Sequence, residues 1–127
     1  MIQTLLVSSS RDFFSHLESI FAENDVGVTW AESGSKALSM VSDQPFDLII
    51  ADETLRDLTG LDLAKKVISI NPMLNLAIVS ALSPHDFHEA SEGLGILMQL
   101  PPAPEKLDAE KLLKHLKTIL ILTRKTI

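Results

Sequence analysis

The sequence contains no cysteine, no tyrosine and a single tryptophan, and its 127 residues include only five glycines. Without thiols there is no disulfide framework, no cysteine nucleophile and no cysteine-based zinc or iron–sulfur site, which fits a reducing compartment. With so few glycines and no Walker or Gly-rich dinucleotide pattern, the common phosphate-cradling loops are excluded too. No apolar run approaches the roughly 20 residues of a membrane span, and the opening Met1-Ile2-Gln3-Thr4 lacks the basic stretch of a secretory signal. The expectation is a soluble, cytoplasmic protein with no membrane partner. A chain of this length buries roughly two thirds of the surface its unfolded form exposes, so a single domain over residues 1–127 folds without staples.

Positive charge is also scarce. Seventeen acidic side chains face eleven basic ones, for a net charge of −6, which argues against general nucleic-acid binding. The sum hides a division. Residues 103–127 carry Lys106, Lys111, Lys114, Lys117, Arg124 and Lys125 against Glu105, Asp108 and Glu110, a balance of +3 that leaves −9 on the first 102 residues.

What the chain does have is a regular alternation. Strand-length apolar runs occur at Thr4–Ser8, Gly27–Ala31, Asp47–Asp52, Leu76–Ser80 and Ile96–Leu100, nearly continuous as in strands covered on both faces. Between them, helical spacing joins Phe13, Phe14, Leu17, Ile20 and Phe21, then Ala37, Leu38 and Val41, then Leu61, Leu63, Ala64, Val67 and Ile68. A more polar helix is predicted over Pro84–Leu94 and a long one from Glu105 to about Leu122. Ser9 before Asp12, Thr59 before Asp62 and Ser83 before Asp86 read as capping signals, the last with Pro84 at the first helical position. Five such units imply an α/β fold: a five-stranded, doubly wound parallel sheet with helices on both faces. Ligands of such sheets sit beyond the carboxyl ends of the strands. The residues to examine are therefore Ser8 to Ser10, Asp52 to Asp57, Ser80 to Ser83 and Leu100 to Pro104.

The order of Leu6-Val7-Ser8-Ser9-Ser10, Phe46-Asp47-Leu48-Ile49-Ile50-Ala51-Asp52, Gly60-Leu61, Ile78-Val79-Ser80-Ala81 and Leu100-Pro101 resembles the receiver domain of two-component response regulators, from Leu5 to about Leu122. The resemblance implies a flavodoxin-like fold with strand order 2-1-3-4-5 and a phosphoacceptor at Asp52, modified by a histidine kinase. It implies Mg²⁺ held by two carboxylates after the first strand, by the acceptor and by the backbone carbonyl of Thr54. Ser8 and Ser9 occupy the acidic-pair positions, and neutral hydroxyls replace the hydration shell of Mg²⁺ poorly. Leu100 stands where the family has a lysine, and Leu97 where it has an aromatic switch residue. Ser80 keeps the hydroxyl switch position.

The expectation is a degenerate receiver, a signalling module rather than an enzyme, with no cofactor and Mg²⁺ bound weakly at most. Its partners would be a histidine kinase, an output domain or a second copy, through the face built by the fourth helix, fifth strand and final helix. Exposed Ile121 and Leu122 would extend that face. A working phosphoacceptor at Asp52 is the alternative, and a flavodoxin-like ligand binder a weaker one, since the chain has no tyrosine and Trp30 ends the second strand away from the loops expected to hold a flavin ring. Glu53 and Asp57 flank the acceptor and are candidate carboxylates for a cation. His85 and His88, near Asp86, Glu89 and Glu92, have spacing compatible with zinc but read first as solvated surface.

Overall fold

The structure, a computed structural model, describes residues 2–124. Five parallel strands form one sheet: β1 (Gln3–Val7), β2 (Gly27–Ala31), β3 (Leu48–Ala51), β4 (Asn75–Val79) and β5 (Met98–Leu100), in the order β2-β1-β3-β4-β5. Registers such as Leu6 opposite Ile50 and Ile50 opposite Ala77 bring the carboxyl ends of β1, β3 and β4 to one rim. The helices are α1 (Ser15–Glu23), α2 (Gly34–Asp43), α3 (Gly60–Ile70), α4 (Pro84–Ala90) and α5 (Lys106–Arg124).

The apolar runs are continuous because each strand feeds two cores. Successive side chains point to opposite faces, so Leu6, Leu48, Ile50 and Val79 pack with Leu17, Phe21, Leu112 and Leu116 of α1 and α5. Leu5, Val7, Ile49 and Ile78 pack with Ala37, Leu63, Val67 and Phe87 of α2, α3 and α4. On α5, Leu112, Leu113 and Leu116 are buried, Ile119 and Leu120 half-buried, and Ile121 and Leu122 exposed as expected. Arg124 lies at the helix end and Lys125 outside the described residues.

Three local expectations need correction. Ser9 does not cap the first helix: a 3₁₀ turn over Arg11–Phe14 precedes α1 with no side-chain cap, while Ser8 Oγ accepts the amide of Ser10 at 2.9 Å. That tight turn rotates Phe13 out of the core stripe, leaving it 60% exposed. The fourth helix ends at Ala90 rather than Leu94, because Gly93 and Gly95 adopt left-handed backbone (φ +83° and +64°) that cannot continue a helix. The caps at Thr59 and Ser83 hold, each hydroxyl accepting the amide three residues on at 3.1 Å.

Candidate functional site

The rim is centred on Asp52, immediately after β3. Its amide donates to the carbonyl of Val7 at 3.0 Å, which fastens it beside the end of β1. The loop that follows is folded back by two pairings, Leu55 amide to Leu58 carbonyl at 2.9 Å and Gly60 amide to Glu53 carbonyl at 3.1 Å, with Thr54 bridged to Thr59. Gly60 is required there: a Cβ would strike the carbonyl oxygen of Asp52.

The Asp52 side chain is half-buried and accepts two hydrogen bonds. Oδ1 takes the amide of Glu53 at 2.9 Å, and Oδ2 takes the hydroxyl of Ser8 at 3.2 Å. Ser8 is fully buried, whereas Ser9 is exposed. Among the described residues no lysine, arginine or histidine forms an ion pair with Asp52. Leu100 is fully buried in the core with Phe14, Val79 and Leu112, and half-buried Leu97 packs against the same cluster. Arg11, the cation on the loop after β1, is held by Glu18 at 2.8 Å and sits 5.8 Å from the centre of the Trp30 ring.

Asp52 and Ser80 line separate hollows. Asp52 borders a cavity of about 180 Å³ with Phe13, Phe14, Val79, Pro102 and Ala103. Ser80 borders another of about 180 Å³ with Glu53, Thr59, Leu61, Leu82 and Phe87. The Ser80 hydroxyl accepts the amide of Leu82 at 3.1 Å, and Gln99 Nε2 donates to the carbonyls of Ser80 and Leu82 at 3.2 and 2.8 Å, tying the loop after β4 to β5.

The flanking carboxylates do not converge on Asp52. Glu53 borders the Ser80 hollow. Asp57 spends both oxygens on the first turn of α2, accepting the amides of Gly34 at 2.9 Å and Ser35 at 2.8 Å. The Ser35 bond first, then the Gly34 bond, hold the Asp57 carboxyl below its ordinary pKa. Trp30, in β2, reaches across to the end of β1. Its indole N–H donates to the carbonyl of Ser8 at 2.8 Å, so it lies against the loop after β1. His85, Asp86 and Glu89 gather within 4.8 Å of one another, all exposed, while His88 borders a different hollow against β5. No described helix is long and apolar enough to cross a membrane.

Comparison with known proteins decides the family. The response regulator receiver domain matches residues 4–117. The chain belongs to that family. Over 125 residues it is 26% identical to the transcriptional regulatory protein ZraR of Salmonella typhimurium, covering 98% of this chain and 28% of that protein. It is 23% identical over 83 residues to the response regulator receiver protein CpdR of Brucella abortus, covering 65% of this chain and 69% of that one. Its fold is that of the chemotaxis response regulator CheY4 of Vibrio cholerae, with a TM-score of 0.81 at 19% identity over 91% of this chain and 98% of that chain. The chain spans only 19–28% of the length of the ZraR regulators it matches.

Within this receiver domain the scaffold and the side chains part company. Strand order, the Gly60 turn and the placement of Asp52 follow the sequence reading. The aromatic wall of Phe13 and Phe14 and the Gln99 tie were not anticipated. Ala103, at φ +51°, gave no signal, because alanine rarely adopts left-handed backbone.

Proposed function

We propose that this chain is a degenerate receiver domain that signals by protein contact, with weak or no Mg²⁺-dependent phosphorylation at Asp52. The observation that carries this reading is the burial of Leu100 in the core, where it offers no charge to a phosphoryl group, together with the lack of any described cation paired to Asp52. Phosphoryl transfer spreads negative charge over three oxygens and depends on a metal ion and fixed positive charge. The donor set does not fit Mg²⁺. Ser8 is neutral, buried and already engaged, Glu53 borders the other hollow, and one carboxylate with a backbone carbonyl at Thr54 is a poor exchange for the ion's water shell.

The domain is not an enzyme and needs no cofactor on this reading. It is a single cytoplasmic module whose partner is a histidine kinase, an output domain or a second copy, engaged through the α4–β5–α5 face. The exposed Ile121 and Leu122 on α5 support that surface. No direct contact with nucleic acid is proposed.

A working phosphoacceptor is the second reading, favoured by the half-buried carboxylate of Asp52 at the border of an open cavity. Incubation with acetyl phosphate and Mg²⁺, followed by intact mass measurement, separates the two. The expected result is no stoichiometric adduct. Stoichiometric modification lost in Asp52→Asn would establish the second reading and overturn the first.

A further inference from the structure

We propose that the cavity at Asp52 is a binding site for a small primary alkylammonium ion. The inference builds on the reading that Asp52 keeps no resident Mg²⁺, and then asks what the site accepts instead. One anionic group, Asp52, borders a cavity of about 180 Å³ whose other walls are Phe13, Phe14, Val79, Pro102 and Ala103. Among the described residues each Asp52 oxygen accepts one hydrogen bond, from Glu53 N and Ser8 Oγ, leaving lone pairs for further donors. Arg11 pairs with Glu18 and Arg56 with Glu32, and among the described residues no cation forms an ion pair with Asp52.

A hard divalent ion needs several oxygen ligands, which these walls lack. An alkylammonium ion needs one carboxylate for its head and apolar surface for its chain, which they supply. The low-dielectric walls strengthen the charge attraction relative to open water. Exposed Phe13 on the cavity wall adds an aromatic ring, a group that attracts organic cations. The lysine position of the family is filled here by buried Leu100, so the ligand's ammonium would take the place of a charge the chain does not provide.

The test is an NMR titration of the ¹⁵N-labelled chain with n-butylammonium chloride, set against sodium chloride at equal ionic strength and against uncharged n-butanol. The expected result is saturable shifts of the Asp52, Phe13, Phe14 and Ala103 amides with butylammonium alone. Affinity should fall at least tenfold in Asp52→Asn and severalfold in Phe13→Ala. The second variant keeps the experiment decisive if the first fails to fold, because Phe13 is 60% exposed and its removal spares the core. Shifts that do not saturate, that n-butanol reproduces, or that survive both substitutions overturn the proposal. A parallel Mg²⁺ titration with acetyl phosphate reads the preceding proposal separately: an adduct there would sink the degenerate reading without bearing on the ammonium shifts.

Discussion

The two sides of the strand-end rim have been treated differently. On the β3–α3 side the backbone machinery is intact: Gly60 lies against the Asp52 carbonyl, the loop is pinned by its two amide pairings, and Thr59 caps α3. On the β1 and β5 side stand uncharged Ser8, Ser9 and Leu100, and the space beside Asp52 is walled by phenyl rings and alkyl groups. The contrast teaches that the placement of a strand-end carboxylate depends on backbone fit, whereas its chemistry depends on a few side chains that the fold does not require. Acidic neighbours would repel the Asp52 carboxylate, so neutral Ser8 and Ser9 spare the scaffold that cost.

Restoring an acid on the altered side is the most direct way to break the contrast. Ser8 Oγ is 3.2 Å from Asp52 Oδ2, so Ser8→Asp places two carboxylates in near contact. Without metal this should lower stability by up to about 4 kcal/mol, the repulsion of like charges near 4 Å at an effective dielectric of about 20. Urea denaturation with and without Mg²⁺ checks it, and the Ser8→Asp/Ser9→Asp double variant should recover most of the loss when Mg²⁺ is added. A variant indifferent to Mg²⁺ would mean that charge is not what the altered side lacks.

Damaging the intact side comes next in size. Gly60→Ala drives a methyl group into the Asp52 carbonyl and should cost about 1–3 kcal/mol, the usual penalty of overpacking. Amide shifts at Asp52 and Glu53 should accompany the loss. A change confined to α3 would show that the turn does not position Asp52.

A site remote from both sides provides the control. Thr4 is fully buried in β1 with a hydroxyl that has no hydrogen-bond partner. Thr4→Val keeps the shape and removes the stranded polar atom, so stability should rise by about 1 kcal/mol with no change at the rim. A loss on chemical denaturation would mean that the hydroxyl is satisfied in solution.

The smallest effect concerns pH. Asp57 is held below its ordinary pKa by the α2 amides, so its folded value lies under the unfolded one. Its contribution is complete above the unfolded value, near pH 4, and disappears as pH falls through the folded value. Asp57→Asn should therefore be slightly less stable than the parent at pH 7, and the gap should close as pH falls through the folded value. A difference that persists into acid would assign the loss to something other than charge.

How much of this was legible depended on the kind of interaction. A parallel sheet covered on both faces followed from continuous apolar runs such as Leu5-Leu6 and Ile49-Ile50, while the strand order came only from the family resemblance. Asp52 was legible as a strand-end residue, and Gly60 as the opening of a helix but not as the residue packed against the Asp52 carbonyl. The roles of Asp57, Trp30 and Gln99 were not, since each acts on an element 19 or more residues distant in sequence: Asp57 on Gly34, Trp30 on Ser8, Gln99 on Ser80. Phe13 was misplaced because periodicity assumes an α-helix from the outset, and the 3₁₀ turn shifts the phase.

The contact between Trp30 and the Ser8 carbonyl makes the domain its own optical gauge. With one tryptophan and no tyrosine in the chain, ultraviolet emission comes almost wholly from an indole pinned to the loop beside Asp52 and lying 5.8 Å from the Arg11 guanidinium. Any event that moves that loop alters the environment of the single emitter. Intensity and wavelength therefore follow the altered side of the rim without a label, while the core around α3 and β4 stays dark.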